Sequence, residues 1–180
     1  MEQWQLGGPI TRRSVVRSHP PPHNLIWCVV CRGRWPGGST PPRTANILSM
    51  DLGKELDMVY SRYIRLRDAY PNGMIRCISC GRVLPFDQFD CGHYFSRYNL
   101  STRWDEHNCN AECIRCNRFD PNHLVGYKRN LIAKIGQKAF DELERKHNEI
   151  GEMPSTEEFR KLIAGYRKIN RLLGEKKDIL

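Results

Sequence analysis

Two Cys-x-x-Cys pairs, Cys77-Ile-Ser-Cys80 and Cys113-Ile-Arg-Cys116, stand 32 residues apart in a chain of 180. Two thiolates spaced this way reach one ion across a tight turn, and Gly81 after the first pair admits the left-handed backbone such a turn uses. Four thiolates close a tetrahedral shell with no open position. The pattern therefore predicts a structural zinc ion that contributes to folding and not to catalysis. A redox dithiol would need a βαβ setting that the flanking sequence lacks, and the opening residues do not read as a secretory leader, which favours metal over disulfides. Cys91 and Cys109 fall outside the pairs and read as small buried residues. Cys28 and Cys31 supply at most half of a second site.

Between the pairs lies Asp90-Cys91-Gly92-His93-Tyr94, followed by Asn108 and, nine residues later, Asn117 directly after Cys116. Each residue alone is weak evidence, since a single histidine near a strand end is more often structural than catalytic. Together they form a set with a chemistry. A neutral imidazole at His93 can activate water for attack on a phosphodiester. The carbonyl oxygen of Asn117 can face a hard cation such as Mg²⁺ or Mn²⁺. Asn108 is expected to accept the other ring hydrogen of His93 through its amide oxygen. Order and spacing resemble an HNH site, a ββα-metal unit in which two strands and a helix hold one divalent cation.

More specifically, CISCG (77–81), DCGHYFSR (90–97), RWDEHNCNAECIRCN (103–117) and the following LVGY and LIAKIGQKAFDELE resemble the NinG family of lambdoid phages, also called Rap, recombination nucleases of branched DNA. The resemblance covers roughly residues 56–172 and leaves out the N-terminal segment. It implies His93 as base, Asn108 as the middle residue and Asn117 as metal ligand. Gly92 stands where many HNH enzymes carry an Asp, so a second metal oxygen must come from elsewhere, with Asp90 or Asp87 as sources. Asn110 stands where the lambda-type sequence has a His, and His123 where an Asn is expected, which makes His123 a further candidate ligand of the catalytic cation.

These groups need elements to position them. Leu52, Leu56, Val59, Tyr60, Tyr63, Ile64 and Leu66 recur at three- and four-residue steps, predicting an amphipathic helix over 51–69 that Pro71-Asn72-Gly73 stops. Short strands are expected at 75–78 and 89–95. Helices are expected over 121–135 and 137–147, broken at Gly136, and a capping box at Ser155-Thr156-Glu157-Glu158 opens another through about Leu173. The expected architecture is α+β: a small zinc-bound ββα-metal core flanked by an N-terminal helix and two to three C-terminal helices, forming one domain over 50–180. Residues 1–49, rich in Pro and Gly, read as a disordered tail.

The charge balance, 29 Lys and Arg against 20 Asp and Glu, gives a formal +9 and favours a polyanionic partner. Six arginines against Glu2 put +5 of that excess in residues 1–49. No run of about 18 apolar residues suits a membrane span. Arg97, Arg103, Arg115 and Arg118, with Lys128 and Arg129, are candidate phosphate contacts. Tyr94, Phe95, Tyr98 and Trp104 could stack on unpaired bases or fill the core around zinc. The expected function is a metal-dependent endonuclease cutting branched DNA in the cytoplasm of a phage's bacterial host, for which a homodimer would suit symmetric cutting. The alternatives are a non-catalytic zinc-finger nucleic-acid-binding protein on a degenerate HNH scaffold and a restriction- or homing-type nuclease of linear duplex.

Overall fold

A computed structural model of the chain describes residues 43–177 and residue 179. The expectations for Cys28, Cys31 and the arginines upstream of residue 43 lie outside them. In chain order the elements are α1 (Arg43–Asp68), β1 (Met74–Arg76), β2 (Val83–Pro85), a single 3-10 turn (Phe86–Gln88), β3 (Phe89–His93), β4 (Cys109–Cys113), α2 (Ile114–Phe119), α3 (His123–Ile135), α4 (Gln137–His147) and α5 (Thr156–Lys177). The α+β class expected from the sequence is the class observed. The first helix reaches back to Arg43, well before the predicted start at Asp51. It ends at the expected turn, where Asn72 Oδ1 accepts from the Met74 amide at 3.2 Å.

The strands form two separate antiparallel pairs, β1 with β2 and β3 with β4. In the first, β1 stops at Arg76, short of the expected Ile78. From Cys77 the backbone closes on itself, with Cys77 N–H donating to Arg82 O at 2.8 Å and Gly81 N–H to Cys77 O at 2.9 Å. Gly81 has φ +74°, the left-handed conformation anticipated for the turn. In the second pair the register runs from Phe89 opposite Cys113 to His93 opposite Cys109. β4 was not anticipated from the sequence.

Packing joins these pieces. Helices α1 and α5 share an apolar seam in which Leu56, Phe159 and Ile163 are buried, with Trp104 and Tyr166 against them. Tyr60 and Ile64, one and two turns further along α1, reach Cys109 on β4. At the end of α1 the Lys177 ammonium of α5 meets the Leu66, Arg67 and Ala69 carbonyls, a cation at a helix C-terminus where the carbonyls lack partners. Asp68 ties the helix to β4: its carboxylate accepts from the Ala111 amide at 2.9 Å, from Arg67, and from Lys134 of α3 at 2.8 Å. The predicted capping box opens α5, with Ser155 Oγ accepting from Glu158 N–H and the Glu158 carboxylate from Ser155 N–H.

Candidate functional site

The first cysteine pair sits in the turn between β1 and β2. The second spans the end of β4 and the first turn of α2. The fold brings them together: the four sulfurs of Cys77, Cys80, Cys113 and Cys116 lie within 4.8 Å of one another. Cys80 Sγ is 3.9 Å from Cys113 Sγ, and the Cys113 amide donates to Cys77 Sγ at 3.3 Å. Amide hydrogens directed at sulfur suit thiolates, and the donor set is that of a closed, soft metal centre. Burial pushes the Cys77 thiol up to about 11. Burial acts in the same direction on Cys80, but hydrogen bonds from the Arg82 side chain and backbone outweigh it and bring that thiol down to about 6. The four residues are placed to hold one metal ion, which would pin the two hairpins and α2 together.

Next to this centre, β3, β4 and α2 form a hairpin followed by a helix. Alternate residues of a strand point to opposite faces, so Asp90 and Gly92 share one face with their partners Glu112 and Asn110, while Cys91, His93, Ala111 and Cys109 share the other. His93, at the end of β3, lies on the α1 side, where its ring and the Cys91 and Cys109 sulfurs fall within 4.8 Å of one another. Burial holds the His93 imidazole below its ordinary value, the Arg103 carbonyl acting in the opposite sense, so the neutral ring prevails at pH 7. Its Nε2 is 3.1 Å from Arg103 O. A carbonyl only accepts, so Nε2 carries the hydrogen and Nδ1 the lone pair. Burial and the neighbouring Cys91 thiol push Cys109 well up, keeping it a neutral thiol.

Asn108 does not hold the His93 ring, which corrects the expectation from the sequence. Fully buried, it staples the β3–β4 loop: Oδ1 accepts from Phe95 N–H at 2.7 Å, and Nδ2 donates to Phe95 O at 3.0 Å and Thr102 O at 2.9 Å. Its effect on His93 is indirect, through the loop that presents the Arg103 carbonyl. Asn117 meets Asp90 on the other face, with Nδ2 3.1 Å from Asp90 Oδ2. The Arg118 guanidinium grips the same carboxylate at 2.7 and 2.8 Å, holding it below the usual carboxylate range against its partial burial. Thus Asp90 and Asn117 are brought together, and His93 stands on the opposite face from both. His123, at the start of α3, has Nδ1 2.7 Å from Glu112 Oε1 and meets neither Asp90 nor Asn117 in a hydrogen bond. Asp87 is exposed at the 3-10 turn.

The candidate phosphate contacts divide. Arg103 is engaged by Asp57 at 3.1 Å and lies over the Trp104 ring, and Arg118 is engaged by Asp90. Arg97, Arg115, Lys128 and Arg129 are exposed. Among the aromatics, Tyr98 is 75% exposed. Phe95 instead stacks on His147 at 4.0 Å, Tyr94 packs on Phe140 and Tyr127, and Trp104 packs on Phe159. Of the four, only Tyr98 leaves its ring mostly in solvent, with the Arg97 guanidinium 5.9 Å from its centroid.

The sequence reading missed Glu112, fully buried on β4. A signal was present in Cys109-Asn110-Ala111-Glu112-Cys113, which alternates apolar and polar with the period of a strand.

Residues 47–176 match the family model described as Bacteriophage Lambda NinG protein. The chain belongs to the NinG family. Among curated relatives, "Protein ninG" of Escherichia phage lambda is 38% identical over 96 residues, covering 53% of this chain and 45% of the relative. "Protein ninG" of Salmonella phage P22 is 34% identical over 116 residues, covering 64% and 54%. The chain thus spans about half the length of the NinG proteins it matches. No solved structure matches it. No helix among the described residues is long and apolar enough to cross a membrane.

Proposed function

We propose that this NinG-family chain is a metal-dependent endonuclease of branched DNA, acting on phage DNA in the cytoplasm of the bacterial host. The observation that carries the reading is the order of groups along one supersecondary unit: His93 ends β3, Asn108 precedes β4, and Asn117 lies in the helix that follows directly. This is the arrangement a ββα-metal nuclease uses. The four cysteines would hold a structural zinc beside it. His93, neutral at pH 7 and with Nδ1 free of its hydrogen, would take a proton from the attacking water. Asp90 and the amide of Asn117 would hold Mg²⁺ or Mn²⁺, which when bound stabilises charge on the phosphate and the leaving oxygen. The exposed Arg97, Arg115, Lys128 and Arg129 would bind phosphates, and Tyr98 is placed to stack on a base that a junction or flap leaves unpaired.

A second reading, a zinc module that binds nucleic acid without cutting it, is favoured by one observation: His93 stands on the opposite face of the hairpin from Asp90 and Asn117. Incubating the full chain with labelled four-way-junction, flap and linear duplex DNA in Mg²⁺ or Mn²⁺, beside His93→Ala, separates the two. The nuclease reading expects cutting of branched DNA that His93→Ala abolishes while affinity is retained. Equal cutting by both proteins would remove His93 from the chemistry, and binding without cutting would favour the second reading.

A further inference from the structure

Glu112 lies directly across the β3–β4 pair from Asp90, on the same face. Like charges directly opposite across two strands repel, and the two carboxylates are compensated unequally. Asp90 has Arg118 and the Asn117 amide. Glu112 is fully buried, and its Oε1 is held by the Ser79 hydroxyl and by His123 Nδ1. Its Oε2 is buried with no hydrogen-bond partner.

That oxygen rests over Gly92. A Cβ built on Gly92 would stand 2.4 Å from Glu112 Oε2 and 2.7 Å from Glu112 Cβ. The carboxylate of Glu112 thus fills the space that a side chain at position 92 would take, so an acidic group reaches this part of β3 from across the hairpin. A buried carboxylate oxygen without a donor costs stability, and Asp90 adds a second carboxylate on the same face of the strand pair. A cation answers both.

We propose that Glu112, through Oε2, and Asp90 bind one divalent cation, with the amide oxygen of Asn117 as a third protein ligand, and that Ser79 and His123 are positioning residues that fix the Glu112 carboxylate through its other oxygen. Two carboxylates, an amide oxygen and water form the hard set that Mg²⁺ and Mn²⁺ take. Rotation of the Asn117 amide turns its oxygen toward the ion. Arg118, whose side chain is 56% exposed, leaves Asp90 for solvent or phosphate as the ion enters. The assignment rests on the proposed nuclease reading and supplies the acidic ligand that Gly92 cannot.

The test is Mn²⁺ titration of the zinc-loaded full chain, followed by the loss of the free-Mn²⁺ electron paramagnetic resonance signal. The wild type is expected to bind one Mn²⁺, Glu112→Gln and Asp90→Asn to weaken binding by more than about tenfold, and His123→Gln to weaken it by about tenfold through loss of positioning. Exposed Glu106→Gln should leave it unchanged. Zinc content and far-ultraviolet circular dichroism confirm that each variant is folded, and Asp90→Asn, at the edge of the site, serves if Glu112→Gln is not. Absence of Mn²⁺ binding by the wild type, or equal affinity in Glu112→Gln, overturns the proposal. Binding that depends on Glu112 without DNA cleavage under any condition upholds the cation site and removes the nuclease reading.

Discussion

Asn108→Ala gives the sharpest test of how the β3–β4 loop is held. The side chain is fully buried and makes three hydrogen bonds, to Phe95 N–H, Phe95 O and Thr102 O. Each such bond contributes about 1 kcal/mol net, and a buried backbone group left without a partner costs about 1–3 kcal/mol. Allowing water to reach the Phe95 groups, which are only partly buried, the expected loss is about 3–4 kcal/mol, a large share of the about 5–15 kcal/mol that keeps a domain folded. Equilibrium urea unfolding of the metal-loaded protein measures it as a fall in midpoint at unchanged slope. Asn108→Asp adds a signature that simple truncation lacks. The new carboxyl keeps an acceptor for Phe95 N–H but turns its second oxygen toward two carbonyls, so its charged form is disfavoured and its folded pKa lies above the ordinary value of about 3.9. The folded state then binds more protons than the unfolded one, and stability relative to the wild type falls as pH rises from about 4 toward neutrality. A loss below about 1 kcal/mol for Asn108→Ala, or a pH-independent gap for Asn108→Asp, would refute the reasoning.

Other elements are open to equally direct tests. Asp68, mostly buried, is held below the usual carboxylate range because Arg67 and Lys134 outweigh its desolvation. Its contribution is present above the unfolded pKa and lost as pH falls through the folded one, so Asp68→Asn should cost about 3 kcal/mol at pH 7 and flatten the acid limb of a stability–pH curve below about pH 4. Gly92→Ala forces a methyl group against Glu112 and should cost about 1–3 kcal/mol in urea unfolding, with Glu112→Ala in the same chain restoring part of it. Purified protein should carry about one zinc per chain for the Cys77, Cys80, Cys113 and Cys116 centre. A strong chelator that removes it should abolish the cooperative thermal transition.

Much of the scaffold was legible because it is local. The cysteine pairs, the Pro71-Asn72-Gly73 stop, the break at Gly136 and the Ser155 capping box each act within a few residues. The start of α1 was not legible: nothing after Pro42 breaks a helix until Pro71, but the Pro- and Gly-rich composition upstream masked about two turns of additional helix. β4 was missed because Asn110 and Glu112 carry loop-like polarity, and only tertiary contacts bury them. Arg67 and Lys134 reach the Asn110 amide, while Ser79 and His123 reach the Glu112 carboxylate. The same long-range pairing hid the partners of the candidate site. That Arg103 is engaged by Asp57, 46 residues earlier, follows from packing, which spacing along the chain does not encode. That His93 and Asp90 take opposite faces, by contrast, follows from their three-residue spacing within one strand.

The central claim, that the β3–β4 hairpin and α2 beside the cysteine centre cut branched DNA, is tested most directly by one assay. Labelled four-way-junction DNA is incubated with the zinc-loaded full chain, with and without Mg²⁺, and the products are resolved beside an identical linear duplex. Mg²⁺-dependent strand cleavage at the branch, with the duplex left intact, is the predicted result. Junction binding with no cleavage in Mg²⁺ or Mn²⁺ would contradict it.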